Sequence, residues 1–356
     1  MLKTLGLGIA GGWFFYYLNL PLAWMLGAMI ITTVAALSGV RLALPQKLRG
    51  GFITILGVFL GSAFNTDILE QVSRWPLTLS ALVLYVGSIT AMLYVYFRKV
   101  LKFDTVSAFF SATPGGLGTM VITGGALGGD EGKIALVHGA RVLLVVMVIP
   151  LWIRYQDPSL AGARAGSGLS LADAGLLDML TLLGCAVVGV WLGRLVRLPA
   201  HGLLGPMLVS AAVHISGISH SPPPTELIAA AQVVIGCSVG VRFSGVPLRQ
   251  VLTIIAASCG ATTLMLSTTV LFTLVLSQLS GFGWQPLLLA YSPGGLAEMS
   301  MIALAMGIET AFVAIHHMFR IMLIVVTAPL VFNAVRRFTG HRQAATGTNH
   351  TSPEGD

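Results

Sequence analysis

Apolar and polar positions fall in long blocks along this chain. Apolar runs lie near residues 4–20, 22–40, 50–66, 76–97, 105–128 and 133–153, and again near 174–195, 200–218, 226–243, 250–276, 284–307 and 310–333. Each approaches the roughly twenty residues of one bilayer helix, so the pattern predicts an all-α polytopic membrane protein. A membrane β-barrel would instead alternate residue by residue within short segments. The fifth run of each set is broken, once by Ser111-Ala112-Thr113-Pro114-Gly115-Gly116 and once by Ser292-Pro293-Gly294-Gly295. Proline removes a backbone donor and paired glycines have no helical preference. Each broken run therefore predicts two half-length helices, roughly 12–18 Å apiece at 1.5 Å per residue.

The two sets are copies of one another. Leu26-Gly27-Ala28-Met29 matches Leu204-Gly205-Pro206-Met207 and Pro45 matches Pro223 at an offset of 178. At an offset of 179, Gly57 and Gly61 match Gly236 and Gly240, and Pro114-Gly115-Gly116-Leu117 matches Pro293-Gly294-Gly295-Leu296. His138 and Arg141 then match His317 and Arg320. The organisation read from this is a membrane repeat over 1–155, a linker over 156–173, a second membrane repeat over 174–335 and a polar cytoplasmic tail over 336–356.

Only 9% of the residues are charged and 55% are hydrophobic, against about 25% charged in soluble domains. A soluble enzyme, a free DNA-binding protein and a disordered chain are excluded. The formal charge of +7 resides in short loops, where it sets topology. If both Pro-Gly-Gly segments return to the side they came from, the chain crosses ten times. Only Arg74, Arg154 and Arg164 then face outward, which satisfies the positive-inside rule better than twelve crossings do. Each repeat then has five crossings, so the two are inverted, the plan of many secondary transporters. Cys185, Cys237 and Cys259 lie in apolar stretches without a Cys-x-x-Cys pair and read as packing residues. Trp75, Trp152 and Trp284 sit at segment ends and read as interface anchors.

Non-helical backbone at membrane depth must be buried in protein or line a cavity, so the two breaks mark the candidate site. Amides beside Gly115, Gly116, Gly294 and Gly295 would lie at helix N-termini, which suit an anion; Thr113 and Ser292 add hydroxyls. Arg141 and Arg320 lie within the membrane, where each needs a partner or a substrate. They either close on loop carbonyls or bind an anion, with His138 and His317 one turn away able to exchange protons. Glu298, where the first repeat has Thr119, is the candidate proton or Na⁺ group, or else a salt-bridge partner of an arginine. Asp130 and Glu309 are expected to cap the last helix of each repeat.

On these motifs, over residues 1–335, the chain resembles the AbrB-type duplicated bacterial membrane family. Members carry labels such as ammonia monooxygenase or regulator, and the resemblance supplies no substrate. The layout is also similar to citrate-type and glutamate-type sodium symporters, although Pro-Gly-Gly-Leu replaces their glycine-glycine-polar motif. An oxygenase needs convergent His or carboxylate ligands, and no His-x-x-x-His spacing occurs; no enzyme activity, metal or cofactor is expected beyond a coupling H⁺ or Na⁺. The resulting expectation is a cation-coupled transporter of a small organic anion in the bacterial cytoplasmic membrane, with both termini inside. Its partners would be the bilayer, the anion and optionally a second copy of the chain, not nucleic acid. The alternative is a membrane-embedded regulator or scaffold without transport.

Overall fold

The computed structural model describes residues 1–64, 72–158, 170–219 and 224–346, with side chains through residue 334. Arg164, Pro223, most of the linker and the last part of the tail lie outside the described residues. The first repeat forms α1 (Leu2–Tyr17), α2 (Ala23–Leu37), α3 (Gln46–Ser62), α4 (Trp75–Lys99), α5 (Thr105–Ala112), α6 (Leu117–Ala126) and α7 (Glu131–Gln156). The second forms α8 (Leu176–Leu195), α9 (His201–Ile215), α10 (Thr225–Gly240), α11 (Leu248–Ser280), α12 (Trp284–Tyr291), α13 (Leu296–Ala305) and α14 (Thr310–Thr346). Among the described residues, six helices are long and apolar enough to cross a membrane. This all-helical architecture is that of a polytopic membrane protein. The final helix runs through Thr346, so part of the stretch read as a tail is helical.

Helix contacts in one repeat recur in the other. The α1–α2 pair is matched by α8–α9, and α2–α10 by α9–α3. Glycines permit these contacts by removing Cβ from crowded faces. A Cβ on Gly27 would overlap the Gly11 carbonyl, and one on Gly205 the Gly189 carbonyl. Such packing fixes helix direction. Gly8 faces Ala28 and Gly12 faces Trp24, so α1 and α2 are antiparallel. Gly236 meets Met25 and Gly240 meets Thr32, so α2 and α10 are parallel; Gly57 on Leu203 and Gly61 on Met207 make α3 and α9 parallel. The Leu42 N–H donates to Ser244 Oγ at 2.9 Å and the Thr4 hydroxyl donates to the Ala43 carbonyl at 2.9 Å. These bonds place the start of α3 where α2 and α10 finish, here called the near end.

Each broken run forms two short helices on either side of its Pro-Gly-Gly. The Asp130 N–H donates to Ser107 Oγ at 2.8 Å, joining the start of α5 to the N-cap residue of α7. In the second repeat, Phe282 before α12 lies 4.6 Å from the Phe312 ring at the start of α14. Asp130 caps α7 by accepting from the Lys133 N–H. That amide holds the Asp130 carboxyl below the usual carboxylate range, an N-cap bond favouring the charged acid. Among the described residues Glu309 makes no corresponding side-chain bond. Trp75 departs from the anchor expectation: it is buried against Phe312, at 6.2 Å between rings. Cys185 and Cys237 pack inside, but Cys259 points outward.

Candidate functional site

The breaks between α5 and α6 and between α12 and α13 hold the predicted glycines, with Gly116 and Gly295 as N-caps of the following helices. A side chain on Gly115 would press on Ile324 at 2.9 Å, and one on Gly294 on Met299. Around the breaks the two histidines play matching roles. His138 Nε2–H donates to the Phe110 carbonyl at 2.9 Å, and His317 Nε2–H donates to the Leu289 carbonyl at 2.9 Å. Both acceptors lie in the last turn of a half-helix, where carbonyls lack intrahelical partners. The histidines thus tie each long final helix of a repeat to its own hairpin.

The arginines differ. Arg320 donates from Nη1 to the Ser292 carbonyl and from Nη2 to the Gly294 carbonyl, each at 2.7 Å, and Nη2 also donates to His317 Nδ1 at 2.8 Å. It clasps the second break. Arg141, 5% exposed, makes no hydrogen bond or ion pair among the described residues; its Nε and Nη1 are buried without partners, as is His138 Nδ1. The sequence could not separate these cases, because backbone carbonyls leave no residue signature. The hydroxyls of Thr113 and Ser292 are turned onto their own helices, donating to Phe109 and Leu288 carbonyls at 2.8 and 2.5 Å. Their protons are therefore engaged and not presented to a ligand.

Glu298 is buried in the first turn of α13 and reaches back over Gly295. It forms no ion pair with either arginine among the described residues, yet it lies within electrostatic range of Arg141 and Arg242. Its counterpart Thr119 is exposed, as is Gly118. Arg242 has Nη1 buried without a partner. It lines a groove of about 450 Å³ between Leu117, the start of α7 and the α10–α11 loop at the near end.

Further polar contacts surround the site. Tyr85 bonds Thr269 at 2.8 Å between hydroxyls. His316 Nε2 lies 2.9 Å from the Thr78 hydroxyl, and Tyr291 donates to the Thr78 carbonyl. Ser258, Thr262, Thr269 and Thr273 form a buried hydroxyl stripe on α11. Its spacing of four, seven and four residues keeps all four on one helix face, a signal that was available in the sequence. Among the described residues, no three His, Cys, Asp or Glu side chains converge as metal ligands.

These features define a class: a duplicated helical membrane protein in which two Pro-Gly-Gly hairpins are pinned by buried His-x-x-Arg helices. Residues 24–336 match the family model described as "Transition state regulatory protein AbrB", and the chain belongs to that family. It is 25% identical over 364 residues to "Uncharacterized protein YhjN" of Bacillus subtilis (strain 168), covering 95% of this chain and 94% of that one. It is 26% identical over 354 residues to "Putative regulator AbrB" of Escherichia coli (strain K12), covering 97% and 98%.

Proposed function

We propose that this chain is a secondary active transporter of a small organic anion, built from two inverted five-crossing repeats whose Pro-Gly-Gly hairpins re-enter the membrane from opposite sides. Helix directions support the inversion. Because α3 starts at the near end and runs parallel to α9, α9 runs opposite to α2, its counterpart in the repeat. The first hairpin has its base beside the start of α7, whose Gly132 lines the near-end groove. The second has its base beside the end of α7, where Gln285 Nε2–H donates to Asp157 Oδ2 at 3.4 Å. Lys3, Arg41, Lys47 and Arg249 cluster toward the near end, and Arg74 and Arg154 lie at the other. The positive-inside rule then makes the near end cytoplasmic, with both termini there.

The observation that carries the reading is the unpartnered Arg141 within electrostatic range of Glu298, which forms no ion pair among the described residues. An unpaired guanidinium at membrane depth costs about 2.5–3.5 kcal/mol on insertion scales, a cost that an anion at the site offsets. Glu298 opposes that anion while ionised. A proton or Na⁺ on Glu298 removes the repulsion, so cation and anion bind together and their movements are coupled. The near-end groove gives access, while Arg320 and His317 hold the second hairpin in shape.

Purified protein in liposomes, given an inward proton or Na⁺ gradient, is expected to accumulate at least one labelled carboxylate from a panel of two- to six-carbon acids. Glu298→Gln should abolish the response to the gradient while leaving exchange of labelled for unlabelled anion. The alternative, a membrane regulator without transport, draws on the family's description as a transition state regulatory protein and on the relative named "Putative regulator AbrB". Absence of accumulation and exchange across the panel, with folded protein in the liposomes, would favour it.

A further inference from the structure

We infer that the anion is held at one of the two repeat-related positions only, at a subsite formed where the repeats meet by Arg141 with the hydroxyls of Ser111, Ser258 and Thr262, and that it presents a carboxylate or similarly small oxyanion there. This deepens the transporter reading and rests on it only for the word substrate. The four side chains line one enclosed cavity of about 10 Å³ between α5, α7 and α11, the space of about one water. Arg141 Nε and Nη1, Ser111 Oγ, Ser258 Oγ and Thr262 Oγ1 are all buried and all without a hydrogen-bond partner. The side chains are 5%, 2%, 1% and 4% exposed.

Buried polar atoms are rarely left unpaired, because each forfeits its bonds to water without replacement. Three hydroxyls and a guanidinium unpaired around one cavity form a donor set with its acceptor missing. The hydroxyls donate or accept, but the guanidinium only donates and carries a charge that hydroxyls do not neutralise. An acceptor bearing negative charge satisfies every member at once. Water satisfies some of the bonds and none of the charge. The cavity has room for about one oxygen atom, so one oxygen of the oxyanion enters it and the remainder of the anion must extend toward the break.

The repeat-related position around Arg320 lacks this arrangement. Ser111 corresponds at the 179-residue offset to Ala290, which has no hydroxyl. Arg320, corresponding to Arg141, already spends its Nη1 and Nη2 donors on Ser292, Gly294 and His317. A symmetric fold thus carries an asymmetric site: Arg141 binds the ligand and Arg320 is a positioning residue.

The test compares thermal unfolding of the wild-type protein and a Ser258→Ala, Thr262→Val variant in detergent, titrated with sodium formate, acetate and sulfate against chloride at constant ionic strength. The Ser258 and Thr262 hydroxyls bond no other protein group, so the ligand-free variant should melt at or above the wild-type temperature. Wild-type protein should gain protection that saturates with at least one oxyanion, as preferential binding to the folded state requires. The variant should need roughly ten- to a hundredfold more of that anion for the same protection, and Arg141→Met should show none. Saturable protection unchanged in these variants, no saturable protection of wild type by any of the three oxyanions, or a ligand-free variant that melts lower would each overturn the inference. Protection that depends on Arg141 without liposomal flux would leave the subsite standing and sink the transporter reading. Flux that survives Arg141→Met would do the reverse.

Discussion

Arg320→Met is expected to lower the stability of the folded protein by on the order of 2–5 kcal/mol, whereas Arg141→Met should leave it unchanged or raise it. Three bonds from the Arg320 guanidinium, to Ser292, Gly294 and His317, are lost in the first variant. Hydrogen bonds to charged groups contribute about 1.5–3 kcal/mol each, and removal of the buried charge returns about 2.5–3.5 kcal/mol. The bonds win, and the second break is left with unsatisfied carbonyls. At Arg141 only the second effect operates, because no bond is broken. Thermal unfolding of both variants in one detergent checks this. Equal losses of stability would mean that the two arginines do the same structural work, contrary to the geometry.

Gly27→Leu and Gly205→Leu should each prevent the protein from reaching a monodisperse folded state, while Gly6→Leu should be silent. A Cβ at Gly27 would overlap the Gly11 carbonyl and one at Gly205 the Gly189 carbonyl, whereas nothing lies within 4 Å of a Cβ at Gly6. Overpacking a tight contact with a movable side chain costs about 1–3 kcal/mol. Here the obstacle is backbone, so a whole helix must move and the cost exceeds that range. Size-exclusion profiles of the three solubilised variants give the readout. A monodisperse Gly27→Leu or Gly205→Leu protein with wild-type melting would contradict the helix pairing described.

Much of this architecture was legible in the sequence, because it rests on features that apolar blocks and repeats display directly. Two Pro-Gly-Gly breaks at matching positions announced the paired half-helices, and His138, Arg141, His317 and Arg320 announced the faces packed against them. The division of labour between the arginines was not legible. It depends on which carbonyls α12 and its break present, and every residue presents the same carbonyl. The anchor reading of Trp75 failed for a related reason: a position at a segment end does not reveal that Phe312 closes over it. The α11 hydroxyls were missed although their periodicity was visible, because Ser and Thr in an apolar helix commonly bond their own backbone. Thr269 does so, donating to the Met265 carbonyl at 2.9 Å, while Ser258 and Thr262 do not.

The central claim is that the two hairpins approach the middle of the membrane from opposite sides. Its most direct measurement is labelling of Gly118→Cys and Ala297→Cys, each in a chain without Cys185, Cys237 and Cys259, by an impermeant thiol reagent applied from one side at a time. Gly118 is exposed with free space for a side chain, and Ala297 is half-buried beside Glu298. The account predicts labelling of Gly118→Cys from the cytoplasmic side and of Ala297→Cys from the opposite side. Labelling of both from the same side would contradict it.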